Sequence, residues 1–247
     1  MFPIRDHNPS TGTPFVTYAL IAANFVVFAF TWSAFSGEAA LAGFYADWAM
    51  IPARISNFQG WPTLVSSMFI HAGLMHIAGN MLFLWIFGDN LEEALGHFGF
   101  LVFYIICGVG AGLAHWIGAP MSGVPTVGAS GAIAGVMGGY LVLFPKARVD
   151  ILLIFIVFYK IVTIPAWAML IVWFGVQLIS GSLSDTVGGG VAYWAHAGGF
   201  VIGFVYVIPQ WIRRGGQDYW RATDGAPPHP AAEYTLTRSR IPRVVKK

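Results

Sequence analysis

The sequence predicts an all-α membrane protein built as a bundle of six transmembrane helices, and three observations lead there. The first is composition. Of 247 residues, 57% are hydrophobic and 10% charged, with a mean hydropathy of +0.67, whereas soluble domains carry roughly 25% charged residues. So few charges would not cover a water-soluble fold of this size. The second is where the charges stop. Asp, Glu, Lys and Arg are absent from 7–37, 55–88, 94–145, 161–184 and 186–212, gaps of 31, 34, 52, 24 and 27 residues. A spanning helix needs about 20 apolar residues. The third is punctuation: the 52-residue gap holds two spans, broken near its middle by Pro120, Gly123 and Pro125. The expected spans are about 14–34, 73–91, 97–118, 130–145, 165–180 and 191–212.

The first span competes with a cleavable signal peptide. Its amino-terminal flank holds one basic residue, Arg5, and the apolar stretch from Phe15 to Phe35 is long for a signal core, so a retained helix is expected. Orientation follows from Lys and Arg. With the amino terminus in the cytoplasm, 12 of 13 basic residues fall inside and only Arg54 lies outside, as the positive-inside rule requires. A cell (inner) membrane, with both termini cytoplasmic, is the expected location. Residues 1–13 read as a polar cytoplasmic tail, 14–212 as the membrane domain, and 213–247 as a basic, disordered cytoplasmic tail. The aromatic connection 35–72 is expected in the membrane interface, and the apolar stretch 150–164 as an interfacial or re-entrant segment, or the start of a longer tilted helix. Cys107 is the only cysteine, which rules out an internal disulfide and suggests packing material within a span.

Polar groups inside spans are costly and mark function. Here they are His76, Asn80, His115, Ser130, Gln177 and His196. Spans two, four and six all run from outside to inside. His76 and Asn80 therefore fall in the first turns of span two, Ser130 opens span four, and His196 lies about one turn into span six. All four share one outer layer. Span four, 16 residues, covers about 24 Å against a hydrocarbon core of about 30 Å, which sets Ser130 several ångströms below the outer face and requires a wet cavity there. Gly131, Gly135 and Gly139 on span four, with Ala195, Gly199 and Gly203 on span six, form small-residue rows that allow close backbone approach. Taken alone, such rows are more often structural than catalytic.

No Asp or Glu sits at this depth; Glu92 and Glu93 lie at the inner end and Asp185 in a loop. A Ser–His dyad is then simpler than a triad, since an imidazole of ordinary pKa about 6.5 can take the hydroxyl proton and return it to the leaving amine. The free N–H groups at the start of span four, with His76 and Asn80, offer donors for a developing oxyanion. His71 is expected to make a structural hydrogen bond at the start of span two, with lining of the cavity as the alternative, and His115 and Gln177 are expected to make interhelical ones. A metal site from His71, His76 and His196 lacks acidic or thiolate ligands, so no metal or other cofactor is expected. The segment Gly128-Ala129-Ser130-Gly131-Ala132 differs from a Gly-x-Ser-x-Gly elbow and no strand precedes it. The lack of an intramembrane charge relay and of any repeat counts against a transporter.

The run from His71 to Asn80 (His-Ala-Gly-Leu-Met-His-Ile-Ala-Gly-Asn), then Gly128-Ala129-Ser130-Gly131, then Ala195-His196 with Gly199 and Gly203, resembles the rhomboid proteases. The resemblance runs from about residue 14 to 210. It implies a rhomboid-like six-helix bundle, an intramembrane serine endopeptidase that cleaves transmembrane or membrane-adjacent segments of other proteins. It also implies Ser130 as nucleophile, His196 as base, and His76 and Asn80 as oxyanion-hole side chains. The expected partners are transmembrane protein substrates and the lipid bilayer, with no nucleic acid. Two departures are visible. The Tyr that some bacterial members carry four residues after the nucleophile is Ala134 here, and Trp61 is followed by Pro62 rather than Arg. A non-catalytic relative that binds membrane proteins in trafficking or quality control is the alternative; it could dispense with Ser130 or His196, and this chain has both.

Overall fold

The computed structural model describes residues 2–8, 10–35, 37–155, 158–183 and 192–228. Strand β1 (Phe2–Asp6) precedes α1 (Phe15–Ala34). The connection 35–72 folds into α2 (Glu38–Trp48), α3 (Pro52–Ser56) and α4 (Thr63–Ser66). Then come α5 (Leu74–Leu95), α6 (His97–Gly118) and α7 (Ser130–Leu143). A hairpin of β2 (Arg148–Phe155) and β3 (Phe158–Pro165) leads into α8 (Ala166–Leu183), α9 (Tyr193–Arg213) and α10 (Gln217–Thr223). Helices α1, α5, α6, α7, α8 and α9 coincide with the six expected spans to within a few residues. The chain is a mostly helical, multi-pass membrane protein.

Helix α7 is the axis of the bundle. It has 14 residues, about 21 Å at 1.5 Å per residue, two residues shorter than expected because the helix already ends before Phe144. All of it except Ser130 and Leu141 is buried. Against it lies α9, close enough that a Cβ on Gly199 would come 2.0 Å from the Gly131 carbonyl oxygen, and one on Gly203 2.0 Å from that of Gly135. The third close position differs from the expected row. Gly138, not Gly139, meets the Phe200 carbonyl, at 2.1 Å from a built Cβ, while Gly139 faces the side chains of Val207, Phe103 and Leu91. Backbones in van der Waals contact place whatever side chains the two helices carry at their N-terminal ends side by side.

Helix α1 has no capping side chain of its own. Its first amides are satisfied by Glu92, from the C-terminal end of α5, whose buried carboxylate accepts from Val16 N at 2.8 Å, Thr17 N at 2.7 Å and Thr17 Oγ1 at 2.7 Å. An anion at a helix amino terminus also meets the positive end of the peptide dipoles. At the opposite end of α5, the chain bends by 96° from the α4 segment, so His71 and His76 sit at a corner rather than inside a straight rod.

Residues 150–155 and 158–164 are not helical, so the longer tilted helix is excluded. They are most of an antiparallel hairpin, with Asp150 opposite Thr163 and Leu152 opposite Ile161. Residues 2–6 of the expected amino-terminal tail add the third strand, Phe2 opposite Leu152. The β-branched residues Val149, Ile151, Ile161, Val162, Thr163 and Ile164 favour this state, and charge spacing is blind to it. Asp150, buried between the strands, accepts from Arg5 at 2.7 Å and Thr163 at 2.5 Å and pairs with His7 at 2.8 Å. Those contacts hold its carboxyl well below the usual range. Residues 217–223 of the expected disordered tail form α10, anchored by Trp220 Nε1 donating to the Val142 carbonyl at 2.9 Å; residues 229–247 lie outside those described.

The sheet is tied to the bundle by Asp6, which accepts from Tyr140 of α7 at 3.0 Å and from Asn8 at 3.4 Å. Burial pushes the Asp6 carboxyl up to about 6 despite these bonds. A carboxyl whose folded pKa is raised contributes stability at low pH and loses it as pH rises through the folded value. Docking of β1 is therefore expected to tighten between pH 7 and pH 5. Hydrogen exchange of the Ile4–Asp6 amides, corrected for intrinsic rates, should slow over that window, and Asp6→Asn should reduce the effect. Unchanged pH dependence in Asp6→Asn would refute it.

Candidate active site

Gly128 reverses the chain into α7 with φ +125°, a left-handed conformation that glycine adopts without strain, and its N–H donates to the Ser67 carbonyl at 2.9 Å. A Cβ there would also come 2.8 Å from His76 Nε2. This turn delivers Ser130 as the first residue of α7, with no side chain capping the amides beside it. Across the glycine contact, α9 delivers His196. Its Nε2 lies 2.7 Å from Ser130 Oγ. Both residues are half-buried.

His76 reaches the same place from α5. The Ala72 N–H approaches its Nδ1 at 3.4 Å, a contact that favours the proton on Nε2, the nitrogen directed at Gly128. Asn80 follows one turn later on the same helix face. Asn80 is 7% exposed, and its side-chain nitrogen is buried without a hydrogen-bond partner among the described residues. An unused donor in a buried position is costly unless something occupies it. The structure thus gathers Ser130, His196 and His76 directly, with Asn80 a turn behind.

His71 stands edge-on to His76 at 5.1 Å, and among the described residues neither of its ring nitrogens has a hydrogen-bond partner; it lines a pocket beside Ala72, Phe28 and Thr31. His115 Nδ1 is buried without a partner among the described residues. Gln177 does bridge helices as expected, and its partner is His196: Oε1 lies 2.8 Å from Nδ1. Where Ala134 leaves no aromatic neighbour on α7, Trp173 of α8 lies against the His196 ring, centroids 5.9 Å apart and planes at 34°. Sequence reasoning missed Trp173; its spacing of four from Gln177 on an apolar helix was the available signal. Trp61 packs edge-on against Trp116 at 6.1 Å, fixing the connection 35–72 to α6.

Beside Ser130 is a pocket of about 40 Å³ between α6, α7 and the connection 35–72, lined by Met50, Ser67, Met68, Thr126, Gly128 and Ala195 among others. It has room for a water or two or a small side chain. Among the described residues no cluster of His, Cys, Asp and Glu could hold a metal ion. Chemically, the arrangement can take a proton from a hydroxyl, hold it on an imidazole, and offer N–H donors to a nearby oxyanion.

Comparison with known proteins gives concordant matches. Over 79 residues the chain is 44% identical to rhomboid-like protein 11, chloroplastic, of Arabidopsis thaliana, covering 32% of this chain and 28% of that one. Over 130 residues it is 32% identical to the rhomboid protease GluP of Bacillus subtilis, covering 53% and 25%. Over 148 residues it is 32% identical to the human presenilin-associated rhomboid-like protein, mitochondrial, covering 59% and 37%. The matched stretches are thus well under half of these relatives' length. Residues 58–212 match the Rhomboid domain, a stretch that runs from before α4 almost to the end of α9, and the chain belongs to the rhomboid family.

Proposed function

We propose that the chain is an intramembrane serine endopeptidase with Ser130 as nucleophile and His196 as general base, acting on transmembrane or membrane-adjacent segments of other proteins. The observation that carries this reading is the 2.7 Å contact between Ser130 Oγ and His196 Nε2. Ser130 Oγ attacks the scissile carbonyl as its proton passes to His196 Nε2, and the proton then goes to the leaving amine. Water, activated by the same imidazole, hydrolyses the acyl-enzyme. The first amides of α7, His76 Nε2–H and the Asn80 amide stabilise the oxyanion. The catalytic unit spans residues 14–212, with both termini in the cytoplasm and the site opening to the outer face of the cell membrane.

A transmembrane substrate offers no free peptide bond while each carbonyl is tied in a helical hydrogen bond. Cleavage is expected where the segment unwinds near its outer end. Purified protein should label with a fluorophosphonate probe and cut single-span substrates, best when Gly or Pro is placed in their outer third. Absence of labelling and cutting would favour a non-catalytic binding protein, and improvement only with breakers near the cytoplasmic end would invert the orientation.

A further inference from the structure

We propose that Gln177 is the positioning residue that sets the working tautomer of His196, in the place where a soluble triad has a carboxylate. The inference rests on the Ser130–His196 reading above. The imidazole is held at three points: Ser130 Oγ at Nε2, Gln177 Oε1 at Nδ1, and the Trp173 ring against its face. Gln177 and Trp173 lie four apart on α8, one turn of one face. Gln177 is 7% exposed, so little bulk water competes for the contact.

A neutral imidazole carries one N–H and one lone pair. If Gln177 presents its oxygen, the N–H sits on Nδ1 and the lone pair of Nε2 faces the Ser130 hydroxyl, ready to accept its proton. If the amide presented its NH₂ edge, the proton would sit on Nε2 and the pair would be idle. The amide orientation that serves catalysis is the one found. An amide does this without charge. The titratable groups that act electrostatically on His196 are His76 on α5 and His115 on α6, and no carboxylate contacts it among the described residues. A bare carboxylate at this depth would be expensive in lipid.

Gln177→Met keeps length and apolar volume and removes the acceptor, while Gln177→Glu keeps an acceptor oxygen at the same reach. In Gln177→Met, kcat and the rate of fluorophosphonate labelling should both fall roughly 10–10²-fold, with KM within about twofold, because a general base of this kind supplies about 10²–10⁴ and the wrong tautomer is not enforced. Gln177→Glu should recover most of the labelling rate. Labelling by Gln177→Met within twofold of wild type, or equal loss in both variants, would overturn the proposal. Nitrogen-15 spectra of His196 in the unmodified protein give an answer independent of variant folding: a protonated Nδ1 supports the assignment and a protonated Nε2 overturns it. Labelling that survives in Ser130→Ala would instead refute the dyad, a separate failure.

Discussion

Ser130→Ala is expected to abolish both cleavage and probe labelling, by about 10⁴-fold or more, while the protein still folds. The hydroxyl is the only atom lost. It sits in a half-exposed turn bordered by Gly128, Ala129 and Gly131, where removal of one oxygen opens little space, so the stability change should stay below about 1 kcal/mol. His196→Ala should be nearly as damaging, and the double variant no worse than either single one, because two groups that move one proton form a single unit. Measured with one substrate, cleavage by Ser130→Ala at the wild-type rate would eliminate this serine as nucleophile. A double variant far slower than both singles would show that the two residues act separately.

The largest expected loss of stability comes from one added methyl group. In Gly203→Ala the new Cβ would lie 2.0, 2.5 and 2.6 Å from the O, C and Cα of Gly135. All three atoms are backbone of the buried α7, so no side chain can swing away. Helices α7 and α9 would have to separate by about 1 Å. Overpacking of this kind costs about 1–3 kcal/mol or more, and a 1 Å displacement of reacting groups costs about 10²-fold in rate. Since Ser130 and His196 stand on the same two helices, Tm and kcat should fall together. Gly175→Ala on α8, whose Cβ would meet nothing within 4 Å, is the matched control and should leave Tm unchanged or slightly raised. Equal Tm values for the two variants would show that the contact is looser than described.

Much of this was legible in the sequence. Runs of residues without charge located the helices, because lipid tolerates little else. The shared depth of His76, Ser130 and His196 followed from counting spans, since alternate spans run in the same direction. What escaped were features set by contacts between distant segments. Whether Ile151 belongs to a strand depends on partner strands, and one of them is Phe2 to Asp6, more than 140 residues earlier. Gly138 and Gly139 are chemically identical, and only the rotation of α7 against α9 decides which of them meets the Phe200 carbonyl. Gln177 was visible as an interhelical polar group, but its partner was not, because no motif links it to His196.

The pairing of α7 with α9 also has a consequence for biosynthesis. About 50 residues separate the end of one helix from the start of the other, roughly 3–10 s of translation at about 5–20 residues per second. Throughout that interval the glycine face of α7 exists without the helix that fills it, and Ser130 exists without His196. On the proposed reading, the Ser130–His196 pair cannot form until α9 has been synthesised and packed against α7.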